Sequence, residues 1–506
     1  MNDDLAARER STAARIGLPL GIAAAAVMLL LAPPSGMPPT AWRVAAVGVL
    51  MAVWWITEAA PIPATALVPL AAFPLLGIRP IGETAAPYAD EVIFLFLGGF
   101  LIAAALERCG LHRRLALAII AAVGTQPARL VGGFMVATAF LSMWVSNTAT
   151  TIMLLPMATS VIGLGAAARA NIGAASAGEP AGAETATVGR EDERASDNFA
   201  RALLLGIAYA ASIGGLGTLI GTPPNALMRG FLSQSYGIEI GFGQWMLIGV
   251  PIVVVGLPLT WLLLTHLLFP LGDAGGAGGF VIAREVERLG PLSRAEWVVG
   301  VVTTLTAASW ILRTKIAAFL PGLSDAGIAM IGAILLFVLP AFEDRRPALG
   351  WDDAEALPWG VLILFGGGLS LAGAIQATGL ATWIGEALAG IGAWPILLIV
   401  VVVTAIIIFL TELTSNTATA AAFLPVVGAL AIGIGADPLL LVVPAALAAS
   451  CAFMMPVATP PNAIVFATGR LTIPQMARAG IWLNLLFVGL LTVAVFALAG
   501  PVLGVR

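Results

Sequence analysis

The stretch Ser146-Asn147-Thr148-Ala149-Thr150 returns unchanged at 415–419, 269 positions later in the chain. Each copy lies near the middle of a long apolar segment, at 128–164 and at 394–433. The same offset separates Leu155-Pro156 from Leu424-Pro425, and it also separates Leu95-Phe96 from Leu364-Phe365. Identities at one fixed offset indicate an internal repeat, which decides the fold of the whole chain.

A second motif, Thr222-Pro223-Pro224-Asn225, returns as Thr459-Pro460-Pro461-Asn462 at an offset of 237. The difference of 32 positions is close to the length of the stretch 165–198, which is rich in Ala and Gly and then charged. The second half lacks such a stretch. We therefore expect 165–198 to be a solvated loop inserted into the first of two related halves.

Composition restricts the chain to one broad class of protein. Of its 506 residues, 59% are hydrophobic and only 10% are charged, and the mean hydropathy is +1.00. A soluble domain carries about 25% charged residues to keep its surface wetted. The prediction is an all-α polytopic membrane protein whose surface mostly faces the lipid bilayer. No basic run indicates a nucleic-acid partner, and Cys109 and Cys451 have no metal or redox spacing.

Pro, Gly and charged residues divide the apolar sequence into segments of the length that crosses a bilayer, about 20 residues. Eleven spans are predicted, at 16–33, 41–60, 62–78, 91–112, 199–231, 243–270, 297–314, 325–341, 358–390, 437–468 and 478–504. As straight helices, 128–164 and 394–433 would extend about 55–60 Å, too far for one span. Each divides at its Ser-Asn-Thr copy into two legs, which form either two short spans or a re-entrant hairpin.

The arginines fix a predicted topology. With the N-terminus inside and each long segment counted as a return, most arginines beside a membrane segment fall inside, as the positive-inside rule requires. These are Arg108, Arg113, Arg114, Arg169, Arg190, Arg194, Arg284, Arg288, Arg294, Arg345, Arg346, Arg470 and Arg478. The C-terminus is then outside. Five spans, an odd number, lead from 199–231 to 437–468, so the two halves run in opposite directions through the membrane.

The predicted organisation has four parts. Residues 1–40 form a cytoplasmic tail and first helix, and 41–270 form the first inverted repeat. Residues 271–296 form a cytoplasmic linker, and 297–506 form the second repeat. Inverted repeats with interrupted helices are typical of secondary transporters, and the interruptions indicate where the substrate binds.

The Thr-Pro-Pro-Asn motifs must interrupt their helices, because each proline removes an N–H group and clashes with a preceding carbonyl. Carbonyls before the break and N–H groups after it lose their partners, and within a bilayer they persist only inside protein or along a cavity. Free carbonyls and hydroxyls suit a small hard cation, and a helix start suits an anion. No Lys or Arg lies near the middle of these elements, so an anion would need co-bound cations. The competing interpretation is that these polar residues only cap broken helices or hold neighbours together.

These motifs resemble those of the divalent anion/sodium symporters, a family that moves dicarboxylates, citrate or sulfate. The resemblance covers nearly the whole chain and includes Trp54-Trp55-Ile56-Thr57-Glu58-Ala59-Ala60-Pro61 and Thr411-Glu412-Leu413-Thr414-Ser415-Asn416-Thr417. It implies that the long segments are re-entrant hairpins, one opening inward and one outward. It also implies a homodimer in the bacterial cytoplasmic membrane that carries its site across by an elevator motion.

The resemblance further implies two Na⁺ sites and one site for a small anion, with no organic cofactor. The first Na⁺ site would use Ser142, Ser146, Asn147 and the backbone near Gly221. The second would use Thr411, Ser415, Asn416 and the backbone near Ala458. The substrate carboxylates would meet Asn147, Thr148, Asn416, Thr417, Thr222 and Thr459.

The leading hypothesis is sodium-coupled symport of a C4-dicarboxylate such as succinate. The alternatives are an exchanger, a proton-coupled carrier, or a sulfate or citrate transporter of the same fold. We expect Glu58 to be a charge at a helix end, and Glu412 to support the hairpin rather than carry protons. A membrane enzyme is disfavoured because the sequence has no His-Glu-x-x-His motif and no nucleophile elbow. A channel would not need two sets of broken helices.

Overall fold

The computed structural model describes residues 12–176, 183–271 and 277–504, and these residues form helices joined by short connections. In the first half the helices are α1 Thr12–Leu30, α2 Pro39–Thr57, α3 Ile62–Thr65, α4 Val68–Leu75, α5 Ile81–Ala85, α6 Glu91–Cys109, α7 Leu111–Val123, α8 Pro127–Ser142, α9 Asn147–Ser176, α10 Ala183–Gly215, α11 Pro223–Tyr236 and α12 Phe242–Leu262. A π-helical turn, Leu263–Leu268, continues α12.

After the linker helix, α13 Ala277–Leu289, the second half follows. It contains α14 Arg294–Ile311, α15 Arg313–Ile316, α16 Asp325–Val338, α17 Trp351–Glu355, α18 Trp359–Ala377, α19 Leu380–Leu388, α20 Ile396–Thr411, α21 Asn416–Gly433, α22 Pro438–Ala448, α23 Pro460–Phe466 and α24 Ile473–Leu503. Seven helical segments of the described chain are long and apolar enough to cross a membrane. Among the shorter apolar helices, α8 and α22 end at interruptions that the motifs predicted.

Both long apolar segments are helical hairpins. The turn between α8 and α9 ends at the first Ser-Asn-Thr copy, and the turn between α20 and α21 ends at the second. Both Thr-Pro-Pro-Asn motifs follow an unwound segment, 216–222 between α10 and α11 and 449–459 between α22 and α23. The predicted interruptions are confirmed at all four places.

Three predicted boundaries are wrong. The segment 62–78 is two short helices, α3 and α4, with prolines at or beside the start of each. The segment 358–390 is α18 and α19, separated at Gly379, whose φ of +80° favours glycine. Gly110, 269 positions earlier, has the same φ and ends α6. Residues 165–198 are less of a loop than expected, since α9 continues to Ser176 and α10 begins at Ala183, and 177–182 lie outside the described residues.

The helices pack in two groups. One group contains α6, α14 and α16, which contact one another. The second contains the hairpins, the broken helices, α12 and α24, and here α8 packs on α10, and α22 packs on α21 and α24. Helix α11 belongs to the second group but also packs on α6 and α18. The hairpin turns and the unwound segments therefore meet inside the second group.

Two glycines permit this close approach. A Cβ on Gly214 of α10 would lie 2.3 Å from the carbonyl oxygen of Ala139 in α8. A Cβ on Gly480 of α24 would lie 2.4 Å from the backbone of Phe453 in the second unwound segment. A side chain at either position would push a helix away from the hairpin or from the break.

Candidate functional site

The first hairpin turn is joined to the first broken helix by hydroxyl and amide groups. Ser142, the last residue of α8, donates to the carbonyl oxygen of Ala211 at 2.7 Å, and its Oγ lies 2.5 Å from Oδ1 of Asn147. The side chain of Asn147 also faces the unwound segment. A Cβ placed on Gly215 would lie 3.1 Å from Oδ1 of Asn147 and 2.9 Å from the carbonyl oxygen of Gly221, so both oxygens lie beside Gly215. Three predicted residues, Ser142, Asn147 and Gly221, therefore come together.

The second hairpin turn repeats this arrangement. The hydroxyl of Thr411, the last residue of α20, lies 2.8 Å from Oδ1 of Asn416 and 2.9 Å from the carbonyl oxygen of Ala449. Thr411 is fully buried, as Ser142 is, whereas Asn416 and Asn147 are partly accessible. Residues at an offset of 269 thus make the same contacts in both halves.

The asparagines that end the two proline motifs hold the unwound segments, a role that the sequence analysis missed. The Asn225 amide donates to the carbonyl oxygens of Gly215, at 3.2 Å, and Thr218, at 2.8 Å. The Asn462 amide makes the equivalent contacts with Ala452, at 3.2 Å, and Met455, at 3.0 Å. Asn225 and Asn462 are fully buried, and each keeps an Oδ1 with no hydrogen-bond partner among the described residues. Their identical place in the two motifs was the signal that could have found them.

The two threonines before the prolines are buried beside these asparagines, but their hydroxyls differ in partner. Thr459 accepts a hydrogen bond from the backbone N–H of Asn462 at 3.2 Å, as a helix N-cap does. Thr222 instead pairs with the hydroxyl of Ser450 at 3.1 Å. Ser450 belongs to the second unwound segment and was not predicted, although the repeat of Ala210-Ala211-Ser212 as Ala448-Ala449-Ser450 could have indicated it.

The remaining predicted residues lie at the turns themselves. Ser146 is exposed and accepts from the backbone N–H of Ala149 at 3.2 Å. Thr148, Ser415 and Thr417 are partly accessible. Their hydroxyls have no hydrogen-bond partner within the part of the chain that the structure describes, so they remain free to contact a ligand.

Glu412 ties the second turn to the second break. Its Oε1 accepts from the backbone N–H groups of Phe453 and Met454 and from the Asn484 amide, at 2.7, 2.9 and 2.8 Å. Its Oε2 accepts from the N–H groups of Met454 and Met455, both at 3.0 Å. These contacts match the predicted role of supporting the hairpin. Glu58 lies where expected, as the residue that ends α2, with a left-handed φ of 50°.

The fixed positive charge of the first broken helix is neutralised within the protein. Arg229 of α11 is only 4% exposed, and its guanidinium lies 3.3 Å from Glu91 of α6 and 3.5 Å from Asp325 of α16. Asp325 in turn lies 3.2 Å from Arg313 and accepts from the backbone N–H of Phe242. With its charge paired in this cluster, Arg229 gives the hairpin turns no free positive charge, and Glu412 is the only charged side chain among the turn residues 143–146 and 412–415.

The donor set fits a small hard cation such as Na⁺. Each turn brings together a hydroxyl, an amide oxygen and the backbone of an unwound segment, all oxygen ligands of the kind hard cations prefer. The unpartnered buried oxygens of Asn225 and Asn462 add acceptor capacity at both breaks that the described protein does not use. In the first half Ser142, Ser146, Asn147 and Gly221 could hold the ion, and Thr411, Ser415, Asn416 and Ala458 could do so in the second.

Comparison with known proteins identifies the family. The profile of the sodium:sulfate symporter transmembrane region matches residues 13–505. The sodium-dependent dicarboxylate transporter SdcS of Staphylococcus saprophyticus is 44% identical over 496 residues, which cover 97% of this chain and 92% of that protein. SdcS of Staphylococcus aureus MRSA252 is 42% identical over 501 residues, 98% of this chain and 93% of that protein.

Among solved structures, the YdaH transporter of Alcanivorax borkumensis, described as having an unusual topology, has a similar fold. The match covers 92% of this chain and 100% of that chain, with a TM-score of 0.56 and 15% identity. The family match over nearly the whole sequence agrees with the apolar helices, the two hairpins and the two proline breaks. The chain belongs to the sodium:sulfate symporter family of membrane transporters.

Proposed function

We propose that this chain carries a small dicarboxylate, such as the C4 compound succinate, together with Na⁺ into the bacterial cell across the cytoplasmic membrane. The observation that carries the proposal is the duplicated cluster at the hairpin turns, in which neutral hydroxyl and amide groups meet unwound backbone. The names of the related SdcS proteins support both sodium and a dicarboxylate as its ligands. The proposed activity is transport, with no covalent change to the substrate.

The two Na⁺ ions are assigned to equivalent places in the two halves. The ion of the first half lies beside Ser142 and Asn147, and that of the second lies beside Thr411 and Asn416. In each pair a hydroxyl and an amide oxygen lie within 2.8 Å of one another. A bound cation would be coordinated by both oxygens and by the carbonyls exposed at the adjacent break.

The dicarboxylate is placed between the turns. Its carboxylates would contact Asn147, Thr148, Asn416, Thr417, Thr222 and Thr459. Helices α9 and α21 begin at the turns, so their N-terminal N–H groups add partial positive charge. Because Arg229 of the first broken helix is already paired with acidic residues, two Na⁺ ions would balance the two negative charges of the substrate. This balance is the proposed reason for obligatory coupling to sodium.

For the movement, we propose an elevator in a homodimer. The group of hairpins and broken helices, which packs as a unit, would move against a fixed group that contains α6, α14 and α16. In this scheme 41–270 and 297–506 are inverted repeats, 1–40 a cytoplasmic tail and first helix, and 271–296 a cytoplasmic linker. The hairpins are re-entrant from opposite sides, with the N-terminus inside and the C-terminus outside.

The test is uptake of labelled succinate by proteoliposomes that contain Asn147→Ala or Asn416→Ala. Each change removes one amide from one cluster, and we expect uptake to fall below one tenth of the wild-type rate. Elution on gel filtration and the unfolding temperature without ligand should stay near wild type. The matched control is Asn198→Ala, which removes an amide that donates to the carbonyl oxygen of Pro270 and accepts from Arg201, neither of which is a turn residue. Wild-type uptake by both turn variants would remove the turns from the site.

A further inference from the structure

The two halves use one position of the proline motif in different ways. Thr459 caps its own helix by accepting from the N–H of Asn462. Thr222 makes no such cap, and its hydroxyl lies 3.1 Å from that of Ser450 in the other half. The first-half counterpart of Ser450 is Ser212, which follows Ala211 as Ser450 follows Ala449, but its buried hydroxyl has no hydrogen-bond partner among the described residues and makes no pair with Thr459. The repeat therefore does not explain this contact.

The hydroxyl pair lies between the two predicted cation sites. Thr222 directly follows Gly221, whose backbone is part of the first site. Ser450 directly follows Ala449, whose carbonyl oxygen accepts from Thr411 of the second site at 2.9 Å. A ligand bound by this pair would therefore lie close to both cation sites.

The pair has one more proton than it uses. Each hydroxyl brings one O–H donor, and whichever donates across the 3.1 Å contact leaves the other with its proton. Among the described residues no second acceptor lies within hydrogen-bond distance of either oxygen. Thr222 is 3% exposed and Ser450 is 2% exposed, so a buried O–H donor lacks an acceptor. Burial of an unpaired donor destabilises the protein, and a hydrogen bond to a bound acceptor would offset this cost.

We propose that the Thr222–Ser450 hydroxyl pair donates this remaining hydrogen bond to a carboxylate oxygen of the transported dicarboxylate, which makes Ser450 part of the substrate site. A carboxylate is an acceptor only, so it fits a place that offers a donor and no fixed charge. The inference rests on the proposed function. It adds an asymmetric contact to an otherwise duplicated site, so the two carboxylates of the substrate are held differently.

The experiment compares the KM for succinate in proteoliposomes at saturating Na⁺, for the wild type and Ser450→Ala. Loss of the donor should raise KM about tenfold or more, and loss of the buried contact with Thr222 should lower the unfolding temperature of the unliganded protein by only a few degrees. Ser450→Thr keeps the hydroxyl and should stay within a few fold of the wild-type KM. Ser370→Ala is the control, because it removes a buried hydroxyl of α18 that donates to the Thr84 carbonyl oxygen of α5.

A double-mutant cycle tests whether the two hydroxyls act as one unit. Thr222→Val should raise KM about as much as Ser450→Ala, and the double variant should lose little more than either. An unchanged KM in Ser450→Ala, with or without a loss of stability, would assign Ser450 a structural role only and overturn the inference. Failure of the proposed function has a different result, since wild-type protein would then show no sodium-dependent succinate uptake.

Discussion

Replacement of Glu412 by Gln tests whether one carboxylate holds the second break in place. Glu412 accepts five N–H···O contacts, and four of them come from the backbone of residues 453–455. The carbonyl oxygen of Met455 in turn accepts from the amide of Asn462. The position 269 residues earlier is Met143, so the first half has no such carboxylate to share the role.

The magnitude follows from the contacts. A glutamine keeps only one side-chain oxygen, and the best place for it is the Oε1 position, which has three donors. The NH2 group of the glutamine then takes the Oε2 position and faces the N–H groups of Met454 and Met455. The Met455 N–H loses its acceptor, which costs about 1–3 kcal/mol, and three charge-assisted bonds become neutral ones. Relief from burying a charge offsets part of this loss. We expect a net loss of about 2–4 kcal/mol in the free energy of unfolding.

The assay combines thermal unfolding in detergent with sodium-driven succinate uptake in proteoliposomes. Glu412→Gln should lower the unfolding temperature by several degrees and reduce uptake strongly, since the second cation site depends on the same segment. Glu386→Gln is the matched control, because Glu386 is exposed on α19 and has no side-chain partner among the described residues. A Glu412→Gln protein with wild-type unfolding temperature and uptake would refute this reasoning.

Three further predictions follow from the same contacts. Ser142→Ala and Thr411→Ala should each raise the half-saturating Na⁺ concentration of uptake several-fold. Thr411→Ser keeps the hydroxyl and should not raise it. Equal Na⁺ dependence in all three variants would contradict the assignment of the Na⁺ sites. Asn462→Ala loses two amide contacts to the unwound segment and should lower the free energy of unfolding by about 2 kcal/mol, measured by thermal unfolding. An unchanged free energy of unfolding would mean that the amide does not hold the break. Asp325→Asn should cost about 3 kcal/mol because it removes a buried negative charge that faces both Arg229 and Arg313, and Arg229→Met in the same protein should recover part of the loss, which a thermal melt of both variants can check.

The repeated motifs predicted the turns and breaks because they change the backbone directly. Two adjacent prolines cannot continue a helix wherever they occur, and a polar triplet inside a 40-residue apolar segment has to lie at a turn. The offset also paired Ser142 with Thr411 before any contact was known, and the structure gives both hydroxyls the same partners.

Contacts between distant, unrepeated residues could not be predicted in this way. Asn484 belongs to no motif, and the repeat gives no partner for Ser450, so only the folded chain brings Ser450 to Thr222 and Asn484 to Glu412. The loop expected at 165–198 failed for a different reason. Its composition was read as low complexity, but alanine has the highest helix propensity, which favours continuation of α9 and α10.

The measurement that tests the account most directly is succinate uptake by wild-type proteoliposomes under separately imposed Na⁺ and pH gradients. The duplicated cluster of Ser142, Asn147, Thr411 and Asn416 predicts accumulation driven by an inward Na⁺ gradient, with saturation in both Na⁺ and succinate. Replacement of Na⁺ by K⁺ should abolish it at any pH gradient. Accumulation that follows the pH gradient and is indifferent to Na⁺ would contradict the central claim.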